Sequence, residues 1–252
     1  MSASFAARLL GWKKLQKSGK LVPNSADSDS GTSKALAGSI LNYLGVTAEE
    51  ITSDVPENLG PALEQGVSLD LAGSLPEIDR SRDWRVDHRK VVADFSQYSH
   101  LRKVTDAVRA NPTLRTDLGI DYLIRLDVTV GVSRAAATQE EPPFLHAAVS
   151  CKWTIRSDRV QNIRHEFLQM IRHRRGRLPH LVTVTAEPMP SRIAAIARGT
   201  GEVDAVYHIA FDALRAAVAE VGGKQQKDDL EECIGQGRLR PYEELASTLA
   251  TW

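Results

Sequence analysis

Apolar residues recur with two different periods along this chain, and the change of period divides it into two parts. Up to about residue 115, apolar residues recur every three or four positions, which is typical of amphipathic helices. Residues 121–132 change to an alternating, β-branched pattern, which predicts a strand that contains Asp127. A second apolar run at 144–153 predicts a partner strand, joined to the first by a long loop.

The first part is expected to be mainly helical. The N-terminus predicts a short amphipathic helix with lysines on its polar side, and the apolar side would consist of Phe5, Leu9, Leu10 and Trp12. Residues 21–33 have the composition of a loop and include Asp27. Further helices are predicted over 34–44 and from about residue 62, the latter with Glu64 in its first turn. The charged segment 78–92 is expected on the surface.

The order of elements after residue 120 indicates an α/β fold. A helical pattern over 158–174 follows the two strands, and strand and helix patterns then alternate up to residue 222. This order, β-β-α-β-α-β-α, predicts a mixed central β-sheet flanked by helices, with a helical N-terminal elaboration. We expect a single domain over 1–252, made of a mainly helical part at 1–115, an α/β core at 120–222 and a peripheral helical tail at 223–252.

Composition is typical of a cytoplasmic globular protein. The chain of 252 residues has no net charge, and its two cysteines, Cys151 and Cys233, lie far apart in the sequence. Two cysteines so far apart are typical of reduced thiols in a cytosolic protein. No apolar run reaches the roughly 18 residues that a membrane span requires, so no membrane association is expected.

The charge is nevertheless unevenly distributed. Eight lysines and arginines lie between Lys152 and Arg177, against two acidic residues, Asp158 and Glu166. A local excess of this kind in a neutral protein predicts either a phosphate-binding face or a solvated basic helix. The charge pattern alone does not choose between them.

Four residues near the predicted strands have the chemistry that phosphodiester hydrolysis requires. A charge at Asp127, inside a strand, needs a partner or a metal ion. Lys152 ends the next strand, and Ser150 shares its face because alternate residues of a strand point the same way. Glu166 follows on the predicted helix. Carboxylates can hold Mg²⁺ and a lysine can neutralise charge on phosphorus, so these residues form a candidate nuclease site, although each alone is more often a solvated or salt-bridged residue.

The segment Arg156-Ser157-Asp158-Arg159 has the chemistry of a base reader. In the major groove, arginine donates two hydrogen bonds to the O6 and N7 atoms of guanine, and aspartate accepts a hydrogen bond from N4 of cytosine. The segment lies at a predicted helix N-terminus, where side chains can enter a groove. The alternative is that Ser157 or Asp158 caps the helix.

Three stretches resemble a known family. They are HAAVSCKWTIRSDRVQN, GRLPHLVTVTAEPMPSRIAAIARGTGEVDAVYH and, more loosely, VPNSADSDSGTS. They are similar to the NgoMIV family of type II restriction endonucleases, within the PD-(D/E)xK nuclease superfamily. The resemblance is close over about 145–208 and looser over about 20–127.

This resemblance implies a Mg²⁺-dependent enzyme that cuts double-stranded DNA within GCCGGC, leaves 5′ overhangs and assembles as a homotetramer of two DNA-binding dimers. The catalytic residues that it implies are Asp127, Lys152, Glu64, Glu166 and Ser150, with Asp127 and the Cys151 backbone carbonyl as metal ligands. The implied DNA-binding residues are Arg156, Asp158 and Arg159 at the CCGG core, Ser157 beside them, and Asp27 at the outer G·C pair.

The chain departs from the family pattern at two places. Leu126 stands where the family has proline before the catalytic aspartate, which would change local backbone only. The segment before Glu64 is one residue shorter, and Glu57 or Asn58 stands in place of a glutamine that contacts the minor groove.

Two other functions stay open at this point. One is a DNA-binding protein without catalysis on a nuclease fold, which would have no chemical need for Asp127, Lys152 and Glu166. The other is a repair or junction nuclease, which would not need the Arg-Ser-Asp-Arg segment.

Overall fold

A computed structural model of the chain describes most of its residues. The described residues are 2–15, 19–47, 56, 58–111, 113–114, 116, 119, 122–133, 141–199 and 201–251, except that the side chains of 157–159 lie outside the described part. Glu57 also lies outside it.

The N-terminal part combines short and long helices with a small hairpin. Its elements are helix α1 (Ala6–Leu9), strands β1 (Trp12–Lys14) and β2 (Leu21–Pro23), and helices α2 (Gly31–Tyr43) and α3 (Leu59–Ile78). The predicted helices at 34–44 and near 62 are confirmed, although both begin earlier. The Ser30 hydroxyl accepts a hydrogen bond from the Ser33 N–H at 3.2 Å and caps α2. Because α3 starts at Leu59, Glu64 lies in its second turn.

A six-stranded mixed β-sheet forms the centre of the fold. Its strands, in their order across the sheet, are β3 (Asp83–His88), β4 (Val128–Ser133), β5 (Phe144–Lys152), β6 (His180–Thr185), β7 (Ala205–His208) and β8 (Leu239–Pro241). The pairs β3–β4 and β4–β5 are antiparallel, and β5 to β8 are parallel. This arrangement confirms the predicted α/β fold and the predicted β4–β5 hairpin.

The remaining helices flank the sheet. They are α4 (His100–Ala110), α5 (Ser157–His173), α6 (Pro190–Ala197), α7 (Phe211–Val221), α8 (Lys224–Gly235) and α9 (Leu245–Thr251), with short 3₁₀ turns at Val92–Asp94 and Tyr242–Glu244. Among the described residues, no helix is both long enough and apolar enough to span a bilayer.

Helix α3 shows how the sequence builds the core and positions the site. Leu63, Val67, Leu71 and Leu75 recur every four residues and are completely buried, so one stripe of the helix packs on β3, β4 and β5. Glu64 follows the first residue of that stripe. The packing of α3 therefore places this carboxylate beside the sheet.

One expectation for the N-terminal half was wrong, and one strand was not predicted. The N-terminal helix ends at Leu9, and Trp12 to Lys14 pair with β2 as a hairpin in which Trp12 donates to the Val46 carbonyl at 3.2 Å. The charged segment 78–92 lies at the surface as expected, but it also contains the edge strand β3, which was not predicted. An edge strand with one solvated face tolerates charged residues, and their density concealed its alternation.

Two further differences concern Asp127 and the tail. Asp127 lies just before β4 rather than inside it, because the pairing of β3 with β4 stops at Arg89, whose φ of 58° ends the extended backbone. The Arg89 N–H still donates to the Asp127 carbonyl at 3.0 Å. The tail is also not peripheral. Strand β8 extends the sheet beside β7, and Leu245 and Leu249 are completely buried, so the apolar residues of the tail complete the core.

Candidate active site and nucleic-acid interface

The register of β4 and β5 brings the predicted catalytic residues to one edge of the sheet. Val128, the first residue of β4, pairs with Val149 of β5. Because the strands are antiparallel, the residue before Val128 lies beside the residues after Val149. Asp127 therefore lies next to Ser150 and Lys152. This agrees with the prediction that all three residues lie at adjoining ends of paired strands.

Three donors converge on one oxygen of Asp127. Its Oδ2 accepts hydrogen bonds from the Lys152 ammonium at 2.7 Å, the Cys151 backbone N–H at 2.8 Å and the Ser150 hydroxyl at 3.4 Å. The Lys152 and Asp127 side chains are 23% and 22% exposed. A charge-assisted pair at this depth is held firmly, yet both groups remain accessible to a ligand.

Glu64 faces this pair from α3 and is held by two basic side chains. Its Oε2 lies 2.8 Å from His88 Nε2 and accepts a hydrogen bond from Arg89 Nε at 3.0 Å. Arg89 has φ of 58°, in the left-handed region that non-glycine residues rarely adopt. Since the Arg89 N–H also donates to the Asp127 carbonyl, this turn ties Glu64 and Asp127 together.

Glu166 borders the site from α5. With Glu64 and Lys152 it lines an open cleft of about 520 Å³, and with Ser150 and Asp127 it lines a smaller adjoining cavity. Burial raises the pKa of Glu166, the Lys152 ammonium lowers it, and the Asp127 carboxylate raises it further. These electrostatic contacts, together with the lining of the cleft, place all five predicted catalytic residues around one space.

The oxygen donors of this cleft fit a divalent metal ion. Asp127, which lines the adjoining cavity, would supply a carboxylate, and Cys151, which lines the cleft, would supply a backbone carbonyl. Within the described part of the chain, no three acidic, histidine or cysteine side chains already surround one point. Mg²⁺ commonly takes one or two carboxylates and keeps several waters, so this sparse donor set suits a hydrated ion.

Arg156 lies four residues after Lys152, at the start of α5. It occupies the N-cap position with extended backbone, and its side chain is exposed. Ser157, Asp158 and Arg159 form the first turn of α5, so neither Ser157 nor Asp158 occupies the cap position. Their side chains lie outside the described residues, and their predicted contacts with DNA stay predictions.

Asp27 is brought close to Arg156 although 128 residues separate them in sequence. Its carboxylate forms an ion pair with Arg192 of α6 and accepts a hydrogen bond from the Asp29 N–H at 3.1 Å. The hydrogen bond from Arg192 lowers the pKa of Asp27 most, and the Asp29 N–H and Arg156 lower it further. The predicted outer-base and inner-base readers therefore share one surface. No local sequence pattern distinguishes Arg192.

Lys13 of the N-terminal hairpin faces the same surface. Its ammonium donates to the Asn24 carbonyl at 3.4 Å, and that oxygen also accepts from the Trp153 indole at 3.3 Å. Burial lowers the pKa of Lys13, Arg156 lowers it further, and Asp27 raises it. Lys14 follows on the opposite face of β1, because successive strand residues alternate.

The basic run from Lys152 to Arg177 does not form a single face. Helix α5 has 17 residues, so its ends lie about 25 Å apart at 1.5 Å per residue. Arg164, in the middle, pairs with Glu202 at 3.2 Å, and Arg174 bonds the Ile171 carbonyl of its own helix. The start of the run belongs to the cleft, whereas its end lies away from it.

Comparison with known proteins defines the class. A family model described as NgoMIV restriction enzyme matches residues 8–141 and 131–251. The type II restriction enzyme NgoMIV of Neisseria gonorrhoeae is 34% identical over 276 residues, covering 98% of this chain and 96% of that protein. The fold, the cleft and these matches define a type II restriction endonuclease, an enzyme that cuts double-stranded DNA site-specifically. The chain belongs to the NgoMIV restriction enzyme family.

Proposed function

We propose that this enzyme cleaves both strands of DNA at a CCGG-centred palindrome, GCCGGC, in a Mg²⁺-dependent reaction that leaves 5′ overhangs. One observation carries the proposal. The Asp127–Lys152 pair lies at the end of β5, and Arg156 follows four residues later on the same segment. The proposed catalytic pair and the proposed base-reading arginine are thereby joined by a short segment that is mostly buried.

The cleft residues divide the chemistry among them. Lys152 is placed to neutralise the charge that develops on the scissile phosphate. Glu64 and Glu166 face the cleft from two helices and would orient water molecules around the reacting phosphate. A Mg²⁺ ion held by Asp127 and the Cys151 carbonyl would act as a Lewis acid and lower the pKa of a bound water. Such an active site fits the PD-(D/E)xK superfamily.

Recognition is assigned to the surface shared by α5 and the Asp27 loop. Arg156 and Arg159 would bind guanines of the CCGG core, with Asp158 on a cytosine and Ser157 beside them. Asp27, with Arg192 as its ion-pair partner, would contact the outer G·C pair. The relative's name, type II restriction enzyme NgoMIV, is consistent with a specific recognition sequence.

We further propose that residues 1–252 act as one nuclease domain within a homo-oligomer. The residues assigned to reading and cutting extend from Asp27 to Glu166, so the N-terminal part is not an independent module. A palindromic site is matched by a protein with two-fold symmetry, and two such dimers would form a tetramer.

The test is digestion of plasmid DNA with the purified protein. With Mg²⁺, cleavage is expected at GCCGGC, and sequencing of the ends should show 5′ overhangs. Removal of divalent ions with EDTA should stop cleavage, and added Mg²⁺ should restore it. Specific binding to GCCGGC without cleavage would support the non-catalytic DNA-binding protein instead, and cleavage confined to branched or damaged DNA would support a repair or junction nuclease.

Lys13 and Lys14 provide a matched test of the DNA surface. Loss of Lys13 should remove one phosphate contact, because its ammonium lies near Arg156 and Asp27, whereas Lys14 lies on the opposite face of β1. For Lys13→Ala, the slope of log affinity against log salt concentration is expected to become shallower by about 0.9. For Lys14→Ala it should not change. Equal slopes for both variants would remove Lys13 from the interface.

A further inference from the structure

A carboxylate lies completely buried next to the proposed DNA-reading surface. Glu187 follows β6 by two residues and is 0% exposed. Burial raises its pKa to about 7, against the opposing influence of two backbone N–H groups and the Arg192 guanidinium. A buried carboxyl is costly to keep, and its partners indicate what it does there.

The carboxylate contacts residues that adjoin or pair with both groups of proposed readers. Its Oε2 accepts a hydrogen bond from the Ile155 N–H at 2.7 Å, and Ile155 directly precedes Arg156. Its Oε1 accepts from the Met189 N–H at 3.2 Å and lies 3.9 Å from Nη1 of Arg192. Since Arg192 forms the ion pair with Asp27, a single side chain connects the inner-base segment to the outer-base loop.

The backbone of Glu187 is itself held firmly. Its N–H donates to the Thr185 hydroxyl at 3.1 Å, and its carbonyl accepts from Nε2 of His208 at 3.2 Å. The other ring nitrogen of His208 accepts from the Ala210 N–H, and complete burial lowers the pKa of His208 to about 4, so the ring is neutral with its proton on Nε2. The carboxylate is therefore presented from a fixed support.

We propose that Glu187 is a positioning residue that holds the Arg156 segment and the Asp27–Arg192 pair in one relative arrangement, so that sequence discrimination depends on it. The proposal rests on the proposed function of these readers. Glu187 need not touch DNA. It acts through the Ile155 N–H on one side and Arg192 on the other.

The test variant is Glu187→Gln. The assays are run above about pH 8, where a carboxyl with a pKa of about 7 is ionised. The amide keeps one acceptor oxygen but turns an N–H₂ group toward one of the two backbone N–H donors, and it removes the charge facing Arg192. The measurement is the ratio of kcat/KM on a GCCGGC duplex to that on duplexes with a changed outer or inner base pair. A loss of folded enzyme lowers all rates equally and leaves the ratio unchanged. The ratio for the outer pair is expected to fall about tenfold or more, with a fall at the inner pair as well.

Asp229→Asn is the matched control. Asp229 is also buried, and it accepts a 2.6 Å hydrogen bond from Arg198, the residue that follows the end of α6, but it contacts no proposed reader within the described residues. This variant should keep the parent ratio. If Glu187→Gln does not fold, Glu187→Asp retains the charge but is too short to reach both N–H groups, and its ratio should fall as well.

The outcomes separate two kinds of failure. A parent enzyme that shows no preference for GCCGGC refutes the proposed function. A parent that prefers GCCGGC, with an unchanged ratio in the folded Glu187 variant, overturns the positioning role alone. An equal fall in Asp229→Asn also overturns it, because the effect would then follow from any buried carboxylate lost near α6.

Discussion

Replacement of Lys152 by alanine is expected to slow single-turnover DNA cleavage by at least about 10²- to 10³-fold, while the affinity for the recognition duplex changes little. The ammonium lies 2.7 Å from Oδ2 of Asp127 at the cleft and is the group proposed to neutralise charge on the phosphate. The measurement is single-turnover cleavage of a labelled duplex with Mg²⁺, together with fluorescence anisotropy for binding.

Two further variants sharpen this expectation. Asp127→Ala should lose cleavage to a similar degree, because it removes the carboxylate assigned to the metal ion and the partner of Lys152. Lys152→Arg keeps the charge but replaces a compact ammonium by a planar guanidinium group. A cleavage rate between those of the parent enzyme and Lys152→Ala is therefore expected. If Lys152→Ala cleaves as fast as the parent enzyme, the assignment of the cleft as the active site is wrong.

Replacement of Arg156 by alanine should weaken binding to GCCGGC by about 1–3 kcal/mol, or roughly 5- to 150-fold. The exposed Arg156 side chain lies at the start of α5, next to the Asp27 loop. The alanine variant would lose the proposed pair of hydrogen bonds to one guanine. Binding to unrelated DNA should fall much less, because it depends on phosphate contacts. Equilibrium binding to both duplexes at a fixed salt concentration measures the difference.

The same helix supplies a control for Arg156. Arg172 is exposed in the last turn of α5, about 24 Å away along the axis at 1.5 Å per residue. Arg172→Ala should leave the ratio of specific to non-specific affinity unchanged. If both variants lower that ratio to the same extent, the effect is one of general positive charge, and Arg156 is not a base reader.

Local patterns were sufficient to predict the centre of this fold. Alternation at 121–132 and the apolar run at 144–153 predicted two paired strands. Residues at the adjoining ends of two such strands must lie close together. The proximity of Asp127 and Lys152 thus follows from strand geometry. The exact start of β4 did not follow, because strand pairing stops at the left-handed backbone of Arg89, which lies 38 residues earlier.

Contacts between distant segments could not be predicted in this way. Asp27 and Arg192 are 165 residues apart, and Glu187 meets Ile155 across 32 residues. Such pairs depend on how helices pack on the sheet, and neither periodicity nor composition records that packing. The resemblance supplied Asp27 as an expectation, but the sequence offered nothing for Arg192, Glu187 or Arg89.

The direct continuation of β5 into the proposed readers has a consequence for the safety of the host cell. Side chains of a strand alternate between two faces, so a shift of β5 by one residue would turn Lys152 away from Asp127 and move Arg156 at the same time. A misregistered or partly unfolded chain would then lose cutting together with reading. A shift in the pairing of β5 therefore cannot leave a nuclease that still cuts but no longer selects its site.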